Sequence, residues 1–223
     1  MQIERAYIDA AQVAKMVRKA LKESFPGVPF SVRTSKYSGG ASIDIDYLDG
    51  PPIAAVEAVA KIYAGSYFDG SIDYKGAVYH LLDGKPVRFL ANFVFVNRQL
   101  SAAALRKGIA AYRAAGNDAA GLDVEEFTNY KGKPDARLSG KGAGEQIWGA
   151  DGRPYYAELA LATWFDQGRP AAEIEAKPSA ELARLQLAGD DGYSRQCGAG
   201  LSHEGPELNL AAIPAERAAA SLH

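Results

Sequence analysis

Apolar and polar positions alternate with a helical period in three stretches of the first half of the chain. After Asp9, a residue typical of helix N-caps, apolar side chains recur every three to four positions up to Pro26–Gly27. A similar run follows Pro51–Pro52, and a third, Ala102–Ala115, follows Ser101, which also has the side chain of an N-cap. The pattern therefore predicts three amphipathic helices.

Between these helices the period changes to two, as in half-buried strands. Phe30–Ser35 and Ala41–Leu48 form one alternating pair, and Val78–Leu82 and Val87–Val96 form another around Asp83–Lys85, whose Asp-Gly step favours a hairpin turn. The order α-β-β-α-β-β predicts an α+β module, in which an antiparallel sheet carries helices on one face.

The second half of the chain gives weaker signals. Residues 121–152 are rich in glycine and have no clear period, while helical spacing returns after Tyr155 and again over Ser179–Ala188. These observations predict an α-rich C-terminal extension. The expected domains are an α+β domain at 1–103, a mainly helical extension with a basic glycine-rich loop at 104–189, and a loosely ordered tail at 190–223.

Composition and charge add the expected cellular setting. The one cysteine, Cys197, excludes an internal disulfide, no apolar run is as long as a membrane span, and the N-terminus lacks the apolar core of a secretory signal. We therefore expect a soluble cytoplasmic protein. Residues 151–223 carry 6 basic and 11 acidic side chains, whereas the part before them is slightly basic. This gradient is compatible with a nucleic-acid-binding face on residues 1–150, and equally with an acidic C-terminal part, residues 151–223, whose charges are simply solvated.

Three runs of sequence carry a resemblance to a known family: FPGVPFSVRTSKYSGGASIDIDYLDGPP, VAKIYAGSYFDGSIDY and VFVNRQLS. Over roughly residues 5–103 the chain resembles the large polyvalent protein associated domain of type 29, found in proteins of phages and conjugative plasmids. The resemblance implies a mobile-element protein that acts in the host bacterial cell, where it protects or processes an incoming genome or counteracts host defence. It implies no catalytic residues.

The candidate binding residues fall into two groups. The first group belongs to the predicted sheet, and the second lies in the glycine-rich loop with Tyr130 and Trp148 close in sequence. Basic side chains interleaved with aromatic rings can follow a phosphate backbone and stack on bases, although such loops are often plain connectors. The candidates for nucleic-acid or partner binding are Arg33, Lys36, Tyr37 and Arg98 in the sheet, and Lys131, Lys133, Arg137 and Lys141 in the loop.

No arrangement of residues suggests nucleophilic catalysis, a structural metal or a cofactor. The sequence therefore favours a non-enzymatic accessory protein that binds a host defence complex, of the kind that an anti-CRISPR or anti-restriction protein inhibits, or DNA or RNA. The acidic C-terminal part, residues 151–223, could occupy the basic groove of such a complex. Two alternatives stay open: a homodimerisation module, and a Mg²⁺-dependent enzyme acting on nucleic acid. That enzyme would use four carboxylates, Asp44, Asp46, Asp69 and Asp73.

Overall fold

The computed structural model describes residues 5–194, which form a mixed α+β fold as predicted. These residues divide into two compact units. The first unit comprises residues 5–46, 56–97 and 176–194, and the second comprises residues 47–55 and 98–175. Within residues 5–194, no helix is both long and apolar enough to cross a membrane. Cys197 and most of the tail predicted at 190–223 lie outside the described residues.

The helices of the described residues include the three predicted amphipathic ones. Their bounds are α1 Ala10–Ser24, α2 Ile53–Ala60, α3 Ala102–Ala114, α4 Ala157–Gln167, α5 Ala171–Ile174 and α6 Ala180–Ala183. Asp9 and Ser101 are N-caps, as predicted: the Asp9 carboxylate accepts from the Gln12 N–H, and the Ser101 hydroxyl accepts from the Ala104 N–H.

The strands of the described residues are more numerous than the sequence pattern indicated. Their bounds are β1 Ala6–Ile8, β2 Ser31–Tyr37, β3 Gly40–Leu48, β4 Ser66–Asp69, β5 Tyr74–Leu82, β6 Lys85–Phe89, β7 Phe93–Gln99, β8 Leu122–Thr128, β9 Pro134–Gly140, β10 Gln146–Trp148, β11 Pro154–Tyr156 and β12 Leu185–Asp190.

The first unit is built on two sheets. One has the order β1-β6-β5-β12, with β4 also paired to β5, and β1 runs parallel to β6. The other has the order β2-β3-β7. The face of β3 that holds Ile43 and Ile45 is fully buried, as are Val13, Val17 and Leu21 of α1. The helical and strand periods predicted from the sequence therefore mark the core correctly.

Two predicted elements of the first unit are wrong. The single strand Val87–Val96 is in fact β6 and β7, which lie in different sheets. The continuous strand is interrupted between β6 and β7, because the backbone N–H groups of the connecting residues bond to two different segments. Leu90 N–H donates to the Ile8 carbonyl, and Asn92 N–H donates to the Ala41 carbonyl. The helix predicted over Ser179–Ala188 is only the single turn α6, because β12 follows it and pairs antiparallel with β5.

The second unit packs α3 against α4 and two hairpins. Its core contains Leu105, Ile109 and Tyr112 from α3 together with Leu161 from α4, and Val124 and Leu138 bring in the β8–β9 hairpin. The glycine-rich stretch predicted as irregular therefore contains regular structure, namely the β8–β9 and β10–β11 hairpins.

Candidate nucleic-acid interface

The tip of the β8–β9 hairpin is held in a defined shape by one asparagine. Asn129 Oδ1 accepts hydrogen bonds from the backbone N–H groups of Lys131 (3.0 Å) and Lys133 (3.1 Å). Gly132 N–H donates to the Asn129 carbonyl at 2.8 Å, and Gly132 has φ +72°, a conformation that glycine adopts without strain. The loop N-Y-K-G-K thus has the residue types that a short hairpin turn requires.

This turn displays one aromatic ring and two cations to solvent. The Tyr130 side chain is 92% exposed, and Lys131 Nζ lies 5.2 Å from the centroid of its ring. Lys131 and Lys133 are both exposed, and neither has an ion-pair partner among the described residues. We call residues 129–133 the hairpin tip. A ring that can stack and two unneutralised ammonium groups are the groups that contact bases and phosphates.

Charges along the stem of the hairpin are largely compensated. Arg137 donates to Glu125 across the ladder, with Nη2 2.9 Å from Oε2, and its guanidinium lies 5.4 Å from the centroid of the Phe127 ring. Arg106 of α3 pairs with Glu126 at 2.6 Å. Because Arg137 already has a carboxylate partner, it is less available to a phosphate than the two lysines of the tip.

An open concavity of about 600 Å³ lies beside the base of the hairpin. Its lining includes Arg106 and Arg113 of α3 together with Gly140 at the end of β9, and Lys141 follows directly in the chain. The Arg113 guanidinium donates to the Ala119 carbonyl at 2.8 Å, so it is partly used for structure. The structure therefore separates the four predicted loop residues: Lys131 and Lys133 share the tip, Arg137 lies on the stem and Lys141 is at the base.

The first group of predicted residues lies on and beside the three-stranded sheet of the first unit. Arg33 forms an ion pair with Asp46, and the Tyr37 hydroxyl accepts a hydrogen bond from the Asn92 side chain at 3.2 Å. Lys36 is exposed near the same end of β2. Exposed Phe95 of β7, with a ring 6.2 Å from that of Phe93, was not predicted as part of this surface, although alternation in the run FVFVN is a signal for it.

The prediction that Arg98 lies on an exposed face of the sheet is wrong. Its side chain is only 4% exposed, and its guanidinium forms a two-point ion pair with Asp166, with distances of 2.6 and 2.7 Å. The same guanidinium donates to the carbonyls of Asp49 and Gly50. All of these residues belong to the second unit. With its donors used in this way, the Arg98 guanidinium stabilises the second unit and is not exposed for contact with a ligand.

The four carboxylates of the magnesium alternative do not form a common site. Asp44 accepts from Ser35, and Asp46 from Arg33 and Asn97, on the outer face of the sheet. Asp69 is buried and accepts hydrogen bonds from Ser71 and Ser194, which lower its pKa. Asp73 occupies a turn with φ +51°. Among residues 5–194, no three histidine, cysteine, aspartate or glutamate side chains are placed to hold a metal ion together.

Comparison with known families supports the resemblance noted above. The model of the family "large polyvalent protein associated domain 29" matches residues 8–101, close to the span expected from the sequence motifs. This domain is associated with the polyvalent proteins of phages and plasmids. The match covers less than half of the chain and does not reach the hairpin tip. No curated protein and no solved structure shows a significant similarity to the chain.

Proposed function

We propose that this protein is a non-enzymatic accessory protein of a phage or plasmid, and that it binds nucleic acid through the hairpin tip. The observation that supports this proposal most strongly is the exposed combination of Tyr130, Lys131 and Lys133 on a turn held by Asn129. The association of residues 8–101 with mobile elements provides the biological setting.

The shape of the hairpin suits contact with a nucleic acid. Its strands are seven residues each and form a two-stranded ribbon. The half near the tip is exposed on β8, whereas on β9 it contains both exposed and half-buried residues. A ribbon of this kind fits the major groove of duplex DNA, which is about 12 Å wide. The two lysines would neutralise phosphates while the tyrosine ring packs against bases or sugars.

Two roles follow from such binding in a mobile-element protein. In one, the protein accompanies the incoming DNA and covers it. In the other, it counters a host defence complex of the CRISPR or restriction type, by competing for the nucleic acid that the complex recognises or by binding the complex itself. Three acidic residues of the C-terminal part, Glu173, Glu175 and Glu181, were candidates for entry into a basic groove. Glu181 is buried in an ion pair with Lys19, and Glu173 is exposed but pairs with Arg169 at 3.3 Å, so this version of the proposal rests mainly on Glu175.

Fluorescence anisotropy with labelled single- and double-stranded DNA and RNA tests nucleic-acid binding directly. We expect the double variant Lys131→Ala/Lys133→Ala to bind at least about tenfold more weakly at 50 mM salt. Loss of two phosphate contacts should also reduce the slope of log affinity against log salt, by about 1.8 on duplex DNA and about 1.4 on single strands. Tyr130→Ala should weaken binding without changing that slope, since stacking does not release counterions.

A matched control is available in α1. Lys15→Ala/Lys22→Ala removes the same charge from two exposed lysines of the first unit and should leave the affinity unchanged. An equal loss in both double variants would mean that only net charge matters. Absence of binding by the unmodified protein at low salt would remove the nucleic-acid proposal and leave a protein target.

A further inference from the structure

Residues 176–194 follow the second unit in sequence, but they belong to the first unit. The segment begins with an extended stretch, makes the single turn α6 and continues as β12, which pairs antiparallel with β5. We call residues 176–194 the return segment. Every residue that it contacts in the bonds described below lies within residues 8–101, the part matched by the family model, whereas the return segment itself lies outside that match.

The first anchor of the return segment is the C-terminal end of α1. Lys177 N–H donates to the Ser24 carbonyl at 2.8 Å. Glu23 Oε2 accepts from the Ser179 hydroxyl (2.8 Å) and from the Glu181 N–H (2.9 Å). The Glu181 carboxylate is only 3% exposed and is paired with Lys19 Nζ at 2.8 Å. Burial of this charge is tolerated because it has a direct cationic partner.

The second anchor is the edge of β5. Leu185, Gln186 and Leu187 pair with residues 80–82, and the backbone N–H of Asp83 donates to the Arg184 carbonyl at 2.9 Å. The Arg184 guanidinium also donates hydrogen bonds to the Asp83 carboxylate, the shortest being 2.6 Å between Nη2 and Oδ2. This hydrogen bond lowers the pKa of Asp83.

The third anchor surrounds Asp191. Its carboxylate accepts from the hydroxyls of Tyr67 (2.7 Å) and Tyr74 (2.8 Å) and from the Ala77 N–H (2.9 Å). The Tyr193 ring then lies 4.3 Å, centroid to centroid, from the Tyr74 ring. Three donors converging on one carboxylate make this a specific socket for an acidic side chain.

The return segment is held mainly by polar contacts. Within it, the buried apolar side chains are Leu185 and Ala188, and most other side chains are exposed or half-buried. Strand pairing plus a few specific side-chain sockets is the mode by which proteins capture extended peptides at a sheet edge. The stretch that precedes the segment, from Arg169 to Pro178, is largely exposed.

We propose that residues 8–101 contain a strand-acceptor site, and that the return segment is an exchangeable peptide ligand which this chain supplies to its own site. The site recognises an extended segment with a carboxylate for Lys19, a guanidinium for Asp83 and a second carboxylate for the Tyr67–Tyr74 socket. It therefore binds the same sequence when a separate molecule presents it. This inference is independent of nucleic-acid binding.

Peptide exchange on the full-length chain tests the proposal. A protease recognition sequence is inserted after Glu175, the chain is cut, and the pieces are kept together. A fluorescein-labelled peptide of residues 176–194 is then added at temperatures rising to the melting point, and anisotropy follows its uptake. We expect saturable uptake by the cut chain. The uncut chain should take up at least about tenfold less at the same concentration, because its tethered segment competes at millimolar effective concentration.

A peptide of equal length carrying Glu181→Gln and Asp191→Asn is the matched control. It should bind at least about tenfold more weakly and should fail to raise the melting temperature of the cut chain, whereas the native peptide raises it. Uptake of both peptides alike would overturn the proposal, since the sockets would then have no role. Retention of the chain's own fragment with no uptake of labelled peptide, up to the melting point, would equally overturn it and make the segment a permanent part of the fold.

Discussion

Replacing Arg98 tests whether the structure or the sequence interpretation describes this residue correctly. In the structure its guanidinium donates five hydrogen bonds, two to Asp166 and three to the carbonyls of Asp49 and Gly50. Arg98→Ala would leave the Asp166 carboxylate, which is 13% exposed, with Arg169 as its remaining cationic partner at 3.1 Å.

The expected cost follows from the loss of one partner of a buried ion pair. Such a loss destabilises a protein by about 3–5 kcal/mol, and the Arg169 guanidinium that remains beside Asp166 places the expected loss towards the lower end of that range. For a chain of this size that corresponds to a melting temperature lower by roughly 6–20 °C. Arg98→Lys keeps the charge but loses the two-point geometry, so we expect a smaller loss. The double variant Arg98→Ala/Asp166→Ala should be less destabilised than the sum of the two single variants, because each single variant loses the same Arg98–Asp166 interaction and the double variant loses it only once.

Urea unfolding followed by tryptophan fluorescence is the suitable assay, since both tryptophans, Trp148 and Trp164, lie in the second unit with Arg98. Arg106→Ala is the matched control, because Arg106 forms an exposed ion pair with Glu126 in the same unit and should cost at most about 1 kcal/mol. Equal losses for Arg98→Ala and Arg106→Ala, or strict additivity in the double variant, would refute the reasoning. Arg98→Lys, measured where it is folded, should keep its nucleic-acid affinity.

Two further predictions concern packing and pH. Gly108→Ala should destabilise the second unit, by about 1–3 kcal/mol, although alanine is the better helix former, because a Cβ at Gly108 would lie 2.5 Å from the Leu161 carbonyl oxygen. Gly168→Ala, where a Cβ meets nothing within 4 Å, is its control; urea unfolding compares them, and equal stabilities would contradict the close α3–α4 approach. Burial lowers the pKa of His80 from 6.5 to about 4, so its contribution to stability is complete above pH 6.5 and is lost as the pH falls towards 4. The loss of stability is on the order of 3 kcal/mol. Unfolding followed by far-UV circular dichroism should therefore show a smaller pH dependence of stability for His80→Gln than for the unmodified protein between pH 6.5 and 4. An unchanged pH dependence would exclude His80 as its source.

Local signals in the sequence were sufficient for the elements whose stabilising contacts are close in sequence. The N-caps Asp9 and Ser101 and the β2–β3 hairpin were predicted correctly, because capping, periodicity and tight turns all act within a few residues. The family resemblance rested on the same part of the chain, and the family match over residues 8–101 confirms it.

The errors come from contacts that are distant in sequence. β12 contains leucine and alanine, which are common in helices, and it becomes a strand because β5, about a hundred residues earlier, offers it a free edge. Arg98 looked like a surface cation at the end of a strand, and only its contact with Asp166 on α4 shows that it is buried. The hairpin tip stays a candidate site on its basic and aromatic composition. The pairing of β8 with β9 that supports it was not predicted, because the glycine-rich sequence shows no strand period.

The central claim, that the hairpin tip contacts nucleic acid, is tested most directly by mapping the contact on the intact protein. Backbone amide chemical shifts of ¹⁵N-labelled protein are followed while duplex or single-stranded DNA is added. The account predicts that the amides of residues 129–133 shift first and most, with smaller changes along β8 and β9. Shifts confined to other surfaces, such as the Arg33–Tyr37 end of β2, or no shifts at any DNA concentration, would contradict it.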